Sequence, residues 1–182
     1  MQTRNQTFDM QPNLEGDRVR LRPLARDDFG QLFAVASDPQ LWAQHPASDR
    51  WQEPVFRRLF EDSIESGGAM VAIDKATRRI IGSSRYDAFD PAASRVEIGW
   101  SYLSRSHWGR DYNPDVKSLL LRHAFRFVDT VYFRVGETNA RSRRAMEKIG
   151  GRLSERTETI LLPDGAPVLH VVYEIARTDF LR

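Results

Sequence analysis

Apolar residues change their spacing several times along the chain, and each change marks an element. Residues 18–24 (RVRLRPL) alternate polar and apolar side chains, the period-two signature of a strand with one buried face. Phe29, Leu32, Phe33 and Ala36 then recur at helical spacing, which predicts a helix over 26–37. Asp38-Pro39 and Pro46 interrupt the next segment. A second helix is predicted over 53–66, with Pro54 at an early position where its missing N–H has no intrahelical partner and Gly67-Gly68 as the stop. The period then shortens. Ala69–Asp74, 80–86 and Arg95–Leu103 read as three successive strands, separated by turns at 75–79 and at Asp90-Pro91. A helix over 114–128, a strand over 131–136 and a short helix over 140–149, ended by Gly150-Gly151, come next. Two last strands flank the turn Leu162-Pro163-Asp164-Gly165 and finish near Ile175. Residues 1–13 are polar and lack an apolar signal core, so they read as a flexible leader ahead of a single domain over 14–182.

This order of elements belongs to the mixed α/β (α+β) class, with consecutive antiparallel strands in the middle. A chain of 182 residues can bury a core without staples. The absence of cysteine excludes a disulfide framework, a thiolate zinc site and a cysteine nucleophile. Four scattered histidines show no ligand spacing, so no metal is expected. No apolar run approaches the ~20 residues that span a bilayer. No membrane partner is expected, and a cytoplasmic location follows by elimination. The formal net charge of +2 argues against a dedicated nucleic-acid binder, and a solvated helix face accounts for Arg141, Arg143 and Arg144. It leaves room for one phosphorylated ligand at a local site.

Two stretches carry candidate chemistry. In the first, a strand ending at Tyr102-Leu103 runs into a loop, His107-Trp108-Gly109-Arg110-Asp111-Tyr112-Asn113, and then into a helix at Pro114. With Asn113 as N-cap, the helix start would offer free N–H groups and a partial positive charge to a phosphate, and Gly109 would let the backbone come close. An ordinary left-handed turn before a capped helix fits the same residues. The second stretch runs from Asn139 to Gly151. On a helix, Ser142, Ala145, Met146 and Ile149 share one face, which puts a serine hydroxyl in the first turn of an apolar stripe. A backbone partner for Ser142 and an N-cap role for Asn139 remain open alternatives.

Together, Glu97-Ile98-Gly99-Trp100, then Trp108-Gly109 with Tyr112-Asn113 opening a helix, then Asn139-x-x-Ser142-x-x-Ala145-x-x-Lys148-x-Gly150, resemble the GCN5-related N-acetyltransferase (GNAT) superfamily. Within it the chain is similar to the ribosomal-protein-alanine N-acetyltransferase-like group. The resemblance runs from about Leu14 to Ile175 in element order. It implies a mostly antiparallel central sheet of about seven strands flanked by about four helices. It implies acetyl-CoA as co-substrate and N-acetyl transfer by direct attack in a ternary complex. The acceptor would be a primary amine of a small molecule or of a protein N-terminus. Tyr102 and Leu103 would pair with the pantetheine arm of coenzyme A. The loop His107, Trp108, Gly109, Arg110, Asp111, Tyr112, Asn113 would hold the pyrophosphate, and Asn139 and Ser142 would approach the thiol end. Relatives commonly pair, which leaves a homodimer open. One departure stands out: the family's Arg/Gln-x-x-Gly-x-Gly/Ala loop has Ser106 at its first position here and Asp111 at its last. The Asp111 carboxylate is expected to point away from the pyrophosphate, with Arg110 offsetting it.

The chemistry needs a neutral amine, donors for the oxyanion and a stabilised thiolate. Glu97, on the opposite strand face from Val96 and Ile98, is the candidate general base, acting through a water. A backbone N–H near the end of the same strand would serve the oxyanion, and Ser142 the thiolate. Trp42, Arg85 and Tyr86 are the candidate acceptor contacts, with the segment 40–51 helping to line the pocket. A salt-bridged strand glutamate is the open alternative for Glu97. A non-catalytic CoA-binding sensor or partner-regulated module is the open alternative for the whole chain.

Overall fold

The computed structural model describes residues 7–180. Among them, eight strands form one sheet in the order β1-β2-β3-β4-β5-β6-β8-β7. They are β1 (Leu14–Glu15), β2 (Val19–Pro23), β3 (Ala69–Asp74), β4 (Ile80–Asp90), β5 (Arg95–Leu103), β6 (Thr130–Gly136), β7 (Arg152–Leu161) and β8 (Pro167–Ala176). The helices are α1 (Phe29–Ala36), α2 (Pro39–Trp42), α3 (Glu53–Glu65), α4 (Tyr112–Ala124), α5 (Ala140–Lys148) and α6 (Arg177–Phe180). Every neighbouring strand pair is antiparallel except β5 with β6, which are joined through the crossover helix α4. The mixed, mainly antiparallel sheet with flanking helices is thus the architecture the element order predicted.

Strand alternation feeds two cores. On β3, Ala69 and Val71 face α1–α3, where Leu32, Trp42, Phe56 and Phe60 meet them. Met70 and Ala72 face the other way, toward Val116, Leu120 and Leu121 of α4. The sheet is covered on both sides, which is why β3 (AMVAID) reads as a nearly continuous apolar run.

Three sequence expectations need correction. The expected leader is packed from Phe8 onward: that ring is 6% exposed and lies 5.1 Å from Tyr86 and 5.2 Å from Phe127. Gln11 Nε2 also donates to the Ala69 carbonyl at 2.8 Å. Residues 1–6 of the leader lie outside the described residues. Next, α4 begins at Tyr112, so Asn113 is inside the helix and not its N-cap. Pro114 still falls in the first turn, where no intrahelical acceptor awaits its missing N–H. Finally, Asp38-Pro39 opens a helix. Asp38 caps α2 by accepting from Gln40 N–H at 2.9 Å, and Pro39 sits at its first position.

Candidate active site

The site arises where the sheet's parallel pair comes apart. β5 and β6 pair over three positions, Arg95–Thr130, Val96–Val131 and Glu97–Tyr132, and beyond these they diverge. A cleft of about 590 Å³ opens between residues 98–103 of β5 and 133–136 of β6. Its lining comes from both faces of the sheet: Trp42 and Tyr102 from the α1–α3 side, Lys117 and Met146 from the α4–α5 side. The facing edges of β5 and β6 carry backbone groups free of ladder partners there, a template for an extended ligand.

A bulge sharpens the β5 edge. Ser83 pairs with Tyr102 and Arg85 with Gly99, so β5 has one more residue than β4 between these pairs. Trp100 takes the strain, at φ 49°, a conformation that costs a bulky side chain of order 1–3 kcal/mol. Its ring is held on one side by the Arg85 guanidinium, 3.8 Å from the centroid, and Arg134 lies 6.0 Å away. Arg85 is itself paired with Asp87.

At the end of β5 the chain makes a short 3-10 turn at Arg105–His107 and enters α4 through two left-handed residues, Gly109 (φ 70°) and Asp111 (φ 61°). Trp108 Nε1 donates to the Leu103 carbonyl at 2.9 Å, and Arg105 pairs with Asp38 of the α2 cap. Asp111 makes no side-chain cap to α4; its carboxylate is 80% exposed and lies 3.9 Å from Arg18. The helix start is therefore left open. Across the cleft, Asn139 caps α5 by accepting from Ser142 N–H at 3.2 Å. Ser142 itself lines the cleft. Arg141 stacks 4.2 Å over the Trp108 ring and donates to the Leu41 carbonyl at 2.8 Å.

Of the expected cofactor residues, the structure brings Tyr102, Leu103, Trp108, Gly109, Asp111, Asn113, Asn139 and Ser142 to the cleft wall. His107, Arg110 and Tyr112 are not in that wall; the His107 and Tyr112 rings pack on each other at 4.7 Å. Of the expected acceptor contacts, Trp42 lines the cleft, although its Nε1 is committed to the Ala36 carbonyl at 2.7 Å. Arg85 and Tyr86 do not line it. Tyr86 is a core residue, fully buried, with its hydroxyl donating to the Leu120 carbonyl at 2.5 Å.

Glu97 also needs correction. It does not line the cleft, and the residue is 2% exposed. Arg134 grips both oxygens, Nε to Oε1 at 2.8 Å and Nη2 to Oε2 at 2.6 Å. Burial raises the Glu97 carboxyl above its ordinary value, with Arg134 pulling the other way. Both oxygens accept from this one guanidinium behind the cleft wall, as the salt-bridged alternative has it.

Two features go beyond the sequence expectations, one residue outside them and one pair inside the expected segment 40–51. Lys117 sits on the inward face of α4 beside Leu120, Leu121 and Ala124, fully buried and lining the cleft. Its Nζ donates to Ser101 Oγ at 2.5 Å and lies 5.4 Å from the Phe133 ring centre. Burial lowers its pKa to about 7. A lysine on an apolar helical face was the legible signal. The second feature is the pair His45 and Arg50, presented by the loop after α2. Gly136 makes room for this loop: a Cβ there would stand 2.6 Å from Pro46 Cγ.

The open position of Asp111 gives a direct test. Asp111→Gly keeps the left-handed turn and removes one acid beside the open start of α4. At roughly 6 Å in a water-like dielectric that charge is worth ~0.7 kcal/mol. CoA should therefore bind about threefold more tightly by calorimetry, and a weakened affinity would assign the carboxylate a positive role.

Among the described residues no helix is long and apolar enough to cross a membrane, and no group of three His, Asp or Glu residues could hold a metal ion. Comparison with solved structures places the fold among acetyltransferases. A GCN5-related N-acetyltransferase from Brucella melitensis superposes with a TM-score of 0.83 at 22% identity, covering 94% of this chain and 81% of that one. A putative acetyltransferase from T. thermophilus gives 0.77 at 29% identity, covering 93% and 92%. Mycobacterium smegmatis RimJ in complex with CoA-disulfide gives 0.72 at 16% identity, covering 94% and 90%. A search of the curated proteins finds no match. The sequence profile described as acetyltransferase (GNAT) domain matches residues 18–152, most of the chain and the whole of the cleft apart from His170. The chain belongs to the GNAT acetyltransferase family.

Proposed function

We propose that this protein transfers an acetyl group from acetyl-CoA to a primary amine, of a small molecule or of a protein N-terminus, by direct attack in a ternary complex. The observation that carries this reading is the split between β5 and β6, with a bulged edge on one side and an uncapped helix start at one end. The cleft fits the co-substrate in shape and charge. Its length of free strand edge suits the pantetheine arm. Gly109, the first amides of α4 and the cations Arg144 and Lys148 suit the phosphates. The ribosomal-protein-alanine group remains part of the proposal, supported by the likeness to RimJ in fold.

Bound acetyl-CoA would supply the thioester carbonyl. The bulge at Trp100 aims the β5 backbone into the cleft, where an N–H can stabilise charge developing on the acyl oxygen. Ser142 Oγ, for which no partner among the described residues competes, hydrogen-bonds the departing thiolate. Lys117 replaces Glu97 as the proton acceptor. It is neutral above pH 7 or so and is linked to the cleft by Ser101, whose Oγ also meets Ser84 Oγ at 2.7 Å. Arg141, Arg143 and Arg144 are dispersed, to the Leu41 carbonyl, to the Tyr173 hydroxyl and Glu137 carbonyl, and to the cleft wall. That dispersal supports a protein without a nucleic-acid partner.

The test is thiol release from acetyl-CoA across a panel of amines. Turnover on at least one amine is expected; tight CoA binding without turnover on any would replace the enzyme with a CoA-binding module. Ser142→Ala should lower kcat roughly ten- to hundredfold, the worth of a hydrogen bond to a charged group, while the CoA Kd stays within about twofold. An unchanged kcat would remove Ser142 from the thiolate.

A further inference from the structure

The cleft's charge is lopsided. Five cations line it besides the base Lys117, namely Arg50, Arg134, Arg141, Arg144 and Lys148, against a single acid, Asp111. Arg134 is neutralised by Glu97 and Glu158, and Asp111 lies at the phosphate-facing turn. The α1–α3 side of the cleft, where Trp42, Tyr102, His45 and Arg50 meet, has no acid in its wall.

Arg50 is the focus of this imbalance. It forms no ion pair with any described carboxylate, and its guanidinium lies 5.5 Å from the Trp42 ring centre. Burial lowers its pKa to about 10. Its polar neighbour is His45, with Nη1 3.1 Å from Nε2. Ala47 N–H also donates toward His45 Nδ1 at 2.9 Å. Burial, then Arg50 and His170, lower the His45 pKa to about 3, so the ring is neutral and offers one acceptor nitrogen to these two donors. With Nδ1 serving Ala47, Nε2–H faces the Arg50 N–H in a part-buried wall. Such an arrangement is unfavourable by itself and is relieved by an acceptor that takes a hydrogen bond from each.

We propose that Arg50 and His45 Nε2–H form an anion subsite on the α1–α3 side of the cleft, and that the acceptor is an amine that also carries a carboxylate, as amino acids do. A planar carboxylate can bridge a guanidinium and an imidazole N–H while the amine points to the bulged edge of β5. A polycationic amine has no partner on this wall. The inference rests on the acetyl-transfer reading for the amine, but the subsite is readable without turnover.

Matched pairs test it: an amino acid against the amine left by removing its carboxylate, and phosphoethanolamine against ethanolamine. Binding to the CoA-loaded protein is measured by calorimetry, and kcat/KM by thiol release. The carboxylate member should bind at least tenfold more tightly than its partner. Arg50→Gln should bring that ratio close to one, Arg50→Lys should keep part of it, and the CoA Kd should not move. Equal binding of both members in the wild type would overturn the subsite. So would an Arg50→Gln variant that weakens CoA, which would assign Arg50 to the phosphates. A preference confined to the phosphate pair would overturn the carboxylate assignment. A carboxylate preference in binding with no turnover on any amine would uphold the subsite and sink the acetyl-transfer reading instead. If Arg50→Gln fails to fold, His45→Phe, which keeps a ring but removes the N–H, carries the same comparison: the ratio should fall toward one, and an unchanged ratio would overturn the subsite.

Discussion

Replacing Arg134 by alanine is expected to destabilise the fold by about 3–5 kcal/mol at pH 7, the cost of stranding a buried charge. Glu97 is a buried residue of β5 whose two carboxylate oxygens both accept from this one guanidinium. Without it, burial, with the Asp87 and Glu158 carboxylates beside it, raises the carboxyl further. The sign of the pH dependence follows. A carboxyl raised in the folded state destabilises above its folded pKa and contributes nothing below the unfolded value near ~4.3. The deficit should thus be largest at neutral pH and shrink toward pH 4. Denaturant unfolding at the two pH values measures it. Pairing Arg134→Met with Glu97→Leu should restore most of the loss, because the charge is then removed with its partner. A loss below about 1 kcal/mol in Arg134→Ala would mean that water reaches Glu97, and would return it to consideration as a base.

Lys117→Met is expected to stabilise the protein and disable it. Met matches the lysine stem in length, and Ser101 keeps Ser84 as a partner, so no polar group is orphaned. The lysine pKa falls from 10.5 to about 7 on folding. For a base whose folded pKa is depressed, the destabilisation is absent above the unfolded pKa, grows as pH falls, and is complete below the folded pKa. At about 1.4 kcal/mol per unit this is on the order of 5 kcal/mol below pH 7, or roughly 10–15 °C in Tm for a chain of this size. The gain should fade toward pH 10. Over the same range kcat/KM of the wild type should rise through pH 7 and level off, whereas the variant should lose at least roughly a hundredfold, within the usual contribution of a general base. A variant that is more stable and fully active would make Lys117 a packing residue.

The sequence exposed local patterns well and distant partners poorly. Ala69–Asp74 and Arg95–Leu103 have the ends the sequence predicts because turn residues bound them and both faces of their sheet are buried. Asp38-Pro39 was legible as punctuation but not as direction: the same dipeptide that breaks one helix caps and opens the next. Arg85 and Tyr86 could not both face an acceptor, since neighbours on a strand point to opposite faces. Tyr86 went to the core, and Arg85 to the side of Trp100. The sequence left Glu97 between a base and a salt-bridged residue because its partner lies 37 residues away on a strand whose register, Glu97 against Tyr132, is set by a parallel pairing that no local signal announces. Arg50 and His45 were within the loop expected to build the acceptor pocket. Their opposed donors depend on which nitrogen Ala47 occupies, a detail only the fold supplies.

The three-position pairing of β5 with β6 has a mechanical side. It is the seam along which five strands on one side are stitched to three on the other. A longer ladder would join the halves more firmly but would use up the backbone groups that hold a ligand. An extended ligand laid in the gap is then a removable rung, and rigidity across the seam becomes something the protein borrows from what it binds.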